Sequence, residues 1–309
     1  MHYRNGKRYY TMAQYCGERY GGRIVKIPLD WGSSCPNRDG TCSVGGCSFC
    51  LFPNRINVEN ISEQYNKGLA RLAGKWPGAR PVAYLQQGSN THHPPQRLRA
   101  LLEETARLPG LAGIRIATRA DCVDPERVEI LDRVRQESGL PVEIELGLQT
   151  AFDGTAAALN RGHSFEAFCR GFTLLRERRF YLCVHLINGL PGETPAQMCE
   201  SVRRVAALYP DGVKLHMLHL LRGTLLAQQY QREPFPLLER EEYVAVVCEQ
   251  IGLLPPDVVI ERLTGDGAAD ALIAPLWTRD KRRVLNAIDR ELVHRDITQG
   301  SLRGRKETV

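Results

Sequence analysis

Residues 25–50 read VKIPLDWGSSCPNRDGTCSVGGCSFC, and the fold turns on how that run is parsed. Its start continues an apolar, β-branched segment, Ile24–Leu29, that reads as a strand. The rest places four cysteines, Cys35, Cys42, Cys47 and Cys50, within sixteen residues. The chain has ten cysteines in 309 residues, so chance would put about half of one in such a window. A strand running straight into a loop of cysteines and glycines asks for a metal or redox explanation. Cys47 and Cys50 form a C-x-x-C pair, whose sulfurs reach one centre from a single turn. Cys35 stands twelve residues before Cys47, across a loop with Pro36, Gly40, Gly45 and Gly46. Those glycines let the backbone wrap closely around an object, with N–H groups placed to tune a cluster's potential.

Three readings compete. A structural zinc site would use all four cysteines, but the spacing C-x6-C-x4-C-x2-C lacks the two separated C-x-x-C knuckles of a zinc ribbon. A thioredoxin-like pair at Cys47 and Cys50 leaves Cys35 and the glycine loop unexplained. An iron–sulfur cluster held by three thiolates, with one iron left open, fits best.

Working outward, short β-rich runs alternate with amphipathic ones. Candidate strands are Ile24–Leu29, Pro81–Gln86, Gly113–Thr118, Val142–Leu148, Tyr181–Ile187 and Gly212–Met217, each rich in Val, Ile or Leu as a parallel strand should be. Between them, Pro94-Pro95 opens a leucine-spaced helix and Asp124-Pro125 caps another. Thr194 and Gln197 form a capping box. Six βα units predict an α/β fold, a partial (β/α)6 TIM-like barrel or open parallel sheet. The predicted division is an N-terminal extension at 1–22, a core at 23–233 and a mainly helical C-terminal extension at 234–309. That extension carries a helical run Leu237–Ile251, a strand Val258–Leu263, a helix near Asp280–His294 and a polar end.

Composition sets bounds. The chain is 43% hydrophobic, as suits a packed core. No stretch approaches the roughly 20 apolar residues of a membrane helix, and the first residues lack the apolar segment of a signal peptide. A cytoplasmic location is the expectation, and a reducing cytosol argues against a disulfide framework. The 41 basic and 35 acidic residues give a net +6, which permits nucleic-acid contact without demanding it.

The loop after a first strand, ending in C-x-x-C with Phe49 inside it, resembles the radical S-adenosylmethionine (SAM) superfamily. The wide gap from Cys35 to Cys47 resembles the YhcC/YtqA family, relatives of the elongator-type radical SAM enzymes. The match continues through IATRADC (Ile116–Cys122), ELGLQTA (Glu145–Ala151), LNRGHSF (Leu159–Phe165), HLINGLPGET (His185–Thr194), VKLHMLHLLRGT (Val213–Thr224) and ERLTGDG (Glu261–Gly267). The resemblance implies a radical SAM barrel in which Cys35, Cys47 and Cys50 hold a [4Fe–4S] cluster. SAM then binds the open iron and is reductively cleaved to a 5′-deoxyadenosyl radical. Gln87, Gly88 and Ser89 would meet the methionine amino group. Glu145 and Gln149 would bind the ribose or position SAM, and Arg161 would pair with its carboxylate. Gly189 and Gly192 resemble the adenine-side motif. Cys42 stands where the family commonly lacks a cysteine and reads as a spare thiol.

The kinship points to tRNA as partner, with a reductant such as flavodoxin or ferredoxin. The specific expectation is conversion of carboxymethylaminomethyl to aminomethyl on a wobble uridine. Basic runs at Arg176–Arg179 and Lys281–Arg283 and the Arg/Tyr-rich head are candidate RNA contacts. Two alternatives stand beside this: a radical SAM enzyme on a small metabolite or peptide, and a zinc-binding nucleic-acid-binding protein. His163, His185, His216 and His219 are candidates for the barrel mouth. Cys122, Cys169, Cys183, Cys199 and Cys248 read as buried small hydrophobes.

Overall fold

The computed structural model describes residues 3–51, 58–265, 267 and 270–304. Met1 and His2 of the head, Asp266 of the run 261–267 and the last five residues of the polar end lie outside them.

The strands are β1 (Ile24–Leu29), β2 (Arg80–Leu85), β3 (Gly113–Thr118), β4 (Val142–Gln149), β5 (Tyr181–Asn188), β6 (Gly212–Met217), β7 (Leu220–Leu221), β8 (Val259–Arg262) and β9 (Leu272–Ala274). Seven form one parallel sheet in the order β1-β2-β3-β4-β5-β6-β8; β7 and β9 pair antiparallel outside it. The helices are α1 (Met12–Tyr20), α2 (Ile61–Ala73), α3 (Pro95–Ala106), α4 (Pro125–Ser138), α5 (Asp153–Ala158), α6 (Phe165–Glu177), α7 (Pro195–Ala206), α8 (Leu225–Arg232), α9 (Arg240–Leu253) and α10 (Lys281–His294). The sheet is curled into a half-barrel: β1 and β8 are its two edges, yet Lys26 Nζ on β1 comes within 3.7 Å of Glu261 Oε2 on β8.

The six strands expected in the core are joined in the sheet by the strand expected in the tail, β8, so part of the sequence beyond 234 is built into the sheet. The tail helix begins at Arg240 rather than Leu237, since Glu239 is its N-cap and makes a capping box with Glu242. Leu238, left outside the helix, accepts the Trp277 indole N–H at 3.0 Å. The cap expected at Asp124 and the capping box expected at Thr194 with Gln197 are present.

Strand alternation divides the sheet into two faces. Ile27, Leu85, Ile114, Ile144, Val184 and Leu215 are fully buried and belong to the main apolar core. The intervening positions are charged: Lys26, Arg115, Glu143, Glu145 and Lys214 face the concave side, where they pair with one another. Arg115 is wholly buried and touches Glu143, Glu145 and Glu261. Buried ion networks are seldom a net gain in stability, so their presence inside a half-barrel marks a place where charge serves something else.

The head closes the strands' N-terminal end. Tyr15 and Tyr20 of α1 donate to Glu143 Oε1 at 2.8 and 2.6 Å, and Tyr10 O accepts from Ile260 N at 2.8 Å. Tyr9, Tyr10 and Tyr20 are buried, which takes them out of the set of aromatics available to stack on bases. Lys7 and Arg8 pair with Asp289 and Asp296. The run Arg176–Arg179 ends α6 and precedes β5, which puts it at this closed end. There Arg176 pairs with Asp211 and Arg178 with Glu129. Lys281–Arg283 begins α10.

Candidate functional site

The loop after β1 is folded on itself. Cys35 O accepts from Arg38 N at 2.8 Å, Cys47 O from Cys50 N at 2.9 Å, and Gly46 N donates to Asn37 O at 2.7 Å. The last bond joins the two halves of the loop and brings the neighbourhood of Cys35 to that of the C-x-x-C pair. The segment after α5 clamps this arrangement: Asn160 Nδ2 donates to Val44 O and Gly46 O, both at 2.9 Å, and Asn160 Oδ1 accepts from Ser43. Here NRGH is a brace for the cysteine loop.

Cys35, Cys47 and Cys50 line one cavity of about 600 Å³, within the range of roughly 300–1,000 Å³ of small-molecule sites. Cys42 is exposed and absent from the lining; its thiol lies 3.3 Å from Gly162 O. The triad chosen from sequence thus shares a cavity, and the fourth cysteine is turned from it. Among the described residues no three His, Cys, Asp or Glu side chains gather around a point suited to a single ion. Burial and the neighbouring Cys47 push the Cys50 thiol up. Cys47 Sγ receives two N–H groups, from Asn37 Nδ2 and Arg161 Nη1, each at 3.5 Å, the kind of bond that stabilises a metal-bound thiolate.

Arg161 is buried, with one amino group on the Gly147 carbonyl and one on Cys47. Its Nε has no partner in spite of burial. Three thiols, an orphaned cationic donor and open volume beside them fit a cluster and an anionic ligand. The other predicted SAM contacts divide. Gln87, Gly88, Ser89, Gln149 and Arg161 line the cavity at the C-terminal ends of the strands. Gln149 holds φ +78°, a strain of roughly 1–3 kcal/mol in a non-glycine residue that the surroundings must enforce. Gly189 and Gly192 are not in the lining: with φ +86° and +80° they turn the chain from β5 into α7, and Leu238 packs over Gly189.

Glu145 lines the cavity, but both its oxygens are engaged. Oε1 meets Lys26 at 3.0 Å and Arg115 at 3.2 Å; Oε2 accepts from Tyr84 at 2.8 Å and meets Lys214 and His185. Burial alone would raise its pKa; Lys26, Lys214 and His185 outweigh that and hold it well below the usual carboxylate range. Glu145 therefore organises the wall from beneath.

The loop after β2 is stitched to the cysteine loop. Ser89 N donates to Ser34 O at 2.9 Å, Ser33 Oγ donates to Asn90 Oδ1 at 2.9 Å, and the Asn90 amide bonds Leu85 O and Ala117 O. At Gly88 the φ is +78° and an added Cβ would sit 2.5 Å from Ser33 O. Backbone cannot yield as a side-chain tip can. Gly88→Ala is therefore expected to part the two loops, lowering iron retained after anaerobic reconstitution several-fold while the far-ultraviolet spectrum stays native. Wild-type iron content in that variant would show the junction to be unimportant.

Sequence reading did not single out Tyr84, Arg38, Arg119, Lys214 or Arg262, all of which line the cavity. The available signal was the charged or polar residue on the alternate face of otherwise apolar strands: Lys26 in VKIPL, Glu143 and Glu145 in VEIELG, Lys214 and His216 in GVKLHM. His185, His216 and His219 line the cavity, whereas His163 does not. His163 sits near Asp121 and Arg119, and burial lowers its pKa to about 4. Of the five cysteines expected to be buried, four are; Cys169 is partly exposed.

A family model described as the Radical SAM superfamily matches residues 38–205, and one described as the Radical SAM C-terminal domain matches residues 210–294. YtqA of Bacillus subtilis (strain 168) is 38% identical over 308 residues, covering 97% of this chain and 94% of that protein. YhcC of Escherichia coli (strain K12) is 35% identical over 288 residues, covering 93% of each. Among solved structures, the archaeal Methanocaldococcus infernus Elp3 with an N-terminal deletion matches with a TM-score of 0.67 at 14% identity. The match covers 89% of this chain and 64% of that one, under two thirds of its length, and the likeness is one of fold.

Proposed function

The chain belongs to the radical SAM superfamily, in the group that includes YtqA and YhcC, and on that premise we propose that it modifies the side chain of a wobble uridine in tRNA. As a member it is an enzyme that uses a [4Fe–4S] cluster and SAM, which sets the zinc reading aside. No helix among the described residues is long and apolar enough to cross a membrane.

When bound, the cluster and SAM supply one-electron chemistry, the removal of a hydrogen atom from an unactivated C–H bond. In our reading Cys35, Cys47 and Cys50 are the ligands. Asn37 and Arg161 stabilise the Cys47 thiolate, and the free Nε of Arg161 faces the carboxylate of SAM. Gln87, Gly88 and Ser89 form the wall on the methionine side, and Gln149 that on the ribose side. Gly189 and Gly192 shape the turn beside the adenine. A small electron carrier such as a flavodoxin or ferredoxin provides the electron.

The observation that supports the substrate reading is the cavity that reaches from the three thiols to residues of the charged interior of the half-barrel, Tyr84, Glu145 and Lys214. A base turned out of the anticodon stack fits such a depth, and a duplex does not. Arg282 and Arg283 are exposed beside a hollow lined also by Asp280, Asn286, Asp289 and Arg290, and in this reading the arginines would meet phosphates there. The reaction we favour shortens carboxymethylaminomethyluridine to aminomethyluridine: the methylene beside the carboxylate would lose one hydrogen atom to the SAM-derived radical and one electron back to the cluster, leaving an imine, and water would split its C=N bond to give the amine and glyoxylate. Nucleoside analysis of tRNA from a strain lacking the gene should show the first accumulating and the second lost. Unchanged nucleosides would turn the assignment toward a small metabolite or peptide.

A further inference from the structure

The cavity has two storeys. The upper is made of loops at the strand ends, with the cysteines, Gln87–Ser89, Arg119 and Arg161. The lower is made of residues within the strands: Tyr84 on β2, Glu145 on β4, His185 on β5, Lys214 and His216 on β6 and Arg262 on β8. Beneath them Arg115 pairs with Glu143 and Glu261, and Glu143 accepts from the tyrosines of α1. Lys214 and His216 are two apart on β6 and share its concave face. His216 is the nearer of the two to the strand's end at Met217, so it stands between the paired charges and the loops that carry the cysteines.

Its neighbours in the wall are committed to one another. Tyr84 donates to Glu145 Oε2 at 2.8 Å, and burial together with Glu145 pushes its pKa up, so it keeps its proton. Lys214 meets Glu145 and Glu261. Burial would lower its pKa, but Glu145 outweighs that and keeps it charged. His185 Nε2 lies 3.2 Å from Glu145 Oε2. His216 makes a ring contact with His185, centroids 5.5 Å apart, and takes part in no hydrogen bond or ion pair among the described residues. It is half-buried and lines the cavity. The titratable groups that act on it are Glu145 from β4, His185 from β5, Lys214 from its own strand and Arg262 from β8. Burial, then His185, Lys214 and Arg262, hold its pKa well below the ordinary histidine value, against the pull of Glu145. The ring is therefore neutral at physiological pH, and a neutral imidazole presents one nitrogen lone pair.

The favoured reaction has a use for such a group. It begins at a methylene bonded to a secondary amine, and an alkylammonium in water keeps its proton up to about pH 8–10. Only the free amine has the lone pair that steadies a carbon radical beside it and becomes part of the C=N bond when the electron leaves. We infer that His216 is the general base that takes the proton from the amine nitrogen of the substrate arm. The assignment rests on the uridine reading. The ammonium nitrogen gives its proton to His216. The methylene beside the carboxylate then gives a hydrogen atom to the SAM-derived radical, and the carbon radical left behind returns one electron to the cluster, leaving the protonated imine. Water adds to the imine carbon, and the C–N bond breaks with its electron pair going to nitrogen. The nitrogen side leaves as aminomethyluridine and the carbon side as glyoxylate. The proton on His216 passes to solvent once the products depart. Burial and Lys214, which disfavour charge on His216, also disfavour it on an ammonium beside that ring, so donor and acceptor are closer in strength than in water.

The test follows glyoxylate released in a single turnover from tRNA carrying carboxymethylaminomethyluridine, on the reconstituted enzyme with SAM and reductant. With a neutral His216 as base, the wild-type rate should be flat from about pH 6.5 to about pH 8.5. His216→Gln should retain iron and bind the tRNA as the wild type does, yet release glyoxylate about a hundredfold more slowly near pH 7. Its rate should then gain about tenfold per pH unit, because solvent has to remove the proton instead. A wild-type rate that itself climbs in this way overturns the role, and that measurement stands even if the variant does not fold. So does a His216→Gln rate as fast and as flat as the wild type's, or a loss found in His185→Gln and not in His216→Gln. A wild type that releases no glyoxylate and leaves the nucleoside unchanged sinks the uridine reading and the role with it; conversion without the expected pH behaviour sinks the role alone.

Discussion

Cys50→Ala is expected to lose its iron and sulfide and to cut SAM cleavage by roughly a hundredfold or more, while Cys42→Ala keeps both near wild-type levels. Losing a ligand costs more than losing the groups that merely orient one, which already costs about 10–100-fold. Because the three thiols share the cavity, the same result is expected at Cys35 and Cys47. Cys42 hangs on the outer side of its loop against Gly162 O. Its own link to the site is indirect, through Arg119 Nη2 at 3.8 Å. The measurements are iron and sulfide per chain after anaerobic reconstitution and 5′-deoxyadenosine formed under reductant. A Cys42→Ala protein without a cluster, or a Cys50→Ala protein with one, would mean that the ligand set is drawn wrongly.

What the sequence made legible was what local chemistry controls. Strands β1, β3 and β6 begin and end where the apolar runs do, and the helix starts at Asp124 and Thr194 follow from their caps. The three cysteines that share the cavity stood out because a cluster needs several thiols close together in the chain. The seventh strand was harder to place: Val259–Arg262 is short, and only its long-range pairing with β6 makes it part of the sheet. The concave network escaped notice for a similar reason. Lys26, Arg115, Glu145, Lys214 and Glu261 come from five separate strands, and each looks like an ordinary surface charge in its own segment. Only the curl of the sheet makes them neighbours. Glu145 shows the consequence: its motif suggested a SAM contact, whereas its five partners make it the hub of the lower storey.

That hub gives the second large effect. Glu145→Gln keeps the shape and removes the charge, leaving Lys26, Lys214 and Arg115 to share Glu143 and Glu261. Breaking a buried pair from one side typically costs about 3–5 kcal/mol, because the partner stays buried without compensation. Urea unfolding of the variant should show a loss of that order, and adding Lys214→Met should recover part of it by withdrawing the stranded cation. The acid limb offers an independent reading. Burial would raise the pKa of Glu261, but Arg115, Lys26 and Lys214 hold it down to about 2, and Glu145 is likewise held well below the carboxylate range. A carboxylate with a depressed folded pKa adds stability that is fully present above its unfolded value, about 4.3. That contribution drains away as pH falls through the folded one, since the unfolded chain binds more protons in that interval. The wild type should therefore lose stability steeply between about pH 4.3 and pH 2, and Glu145→Gln, with one such group fewer, should lose it less steeply from a lower starting point. A variant as stable as the wild type, with the same acid slope, would mean that the interior charges carry no structural weight. The walls of the lower storey would then have to be held by the apolar face of the sheet alone.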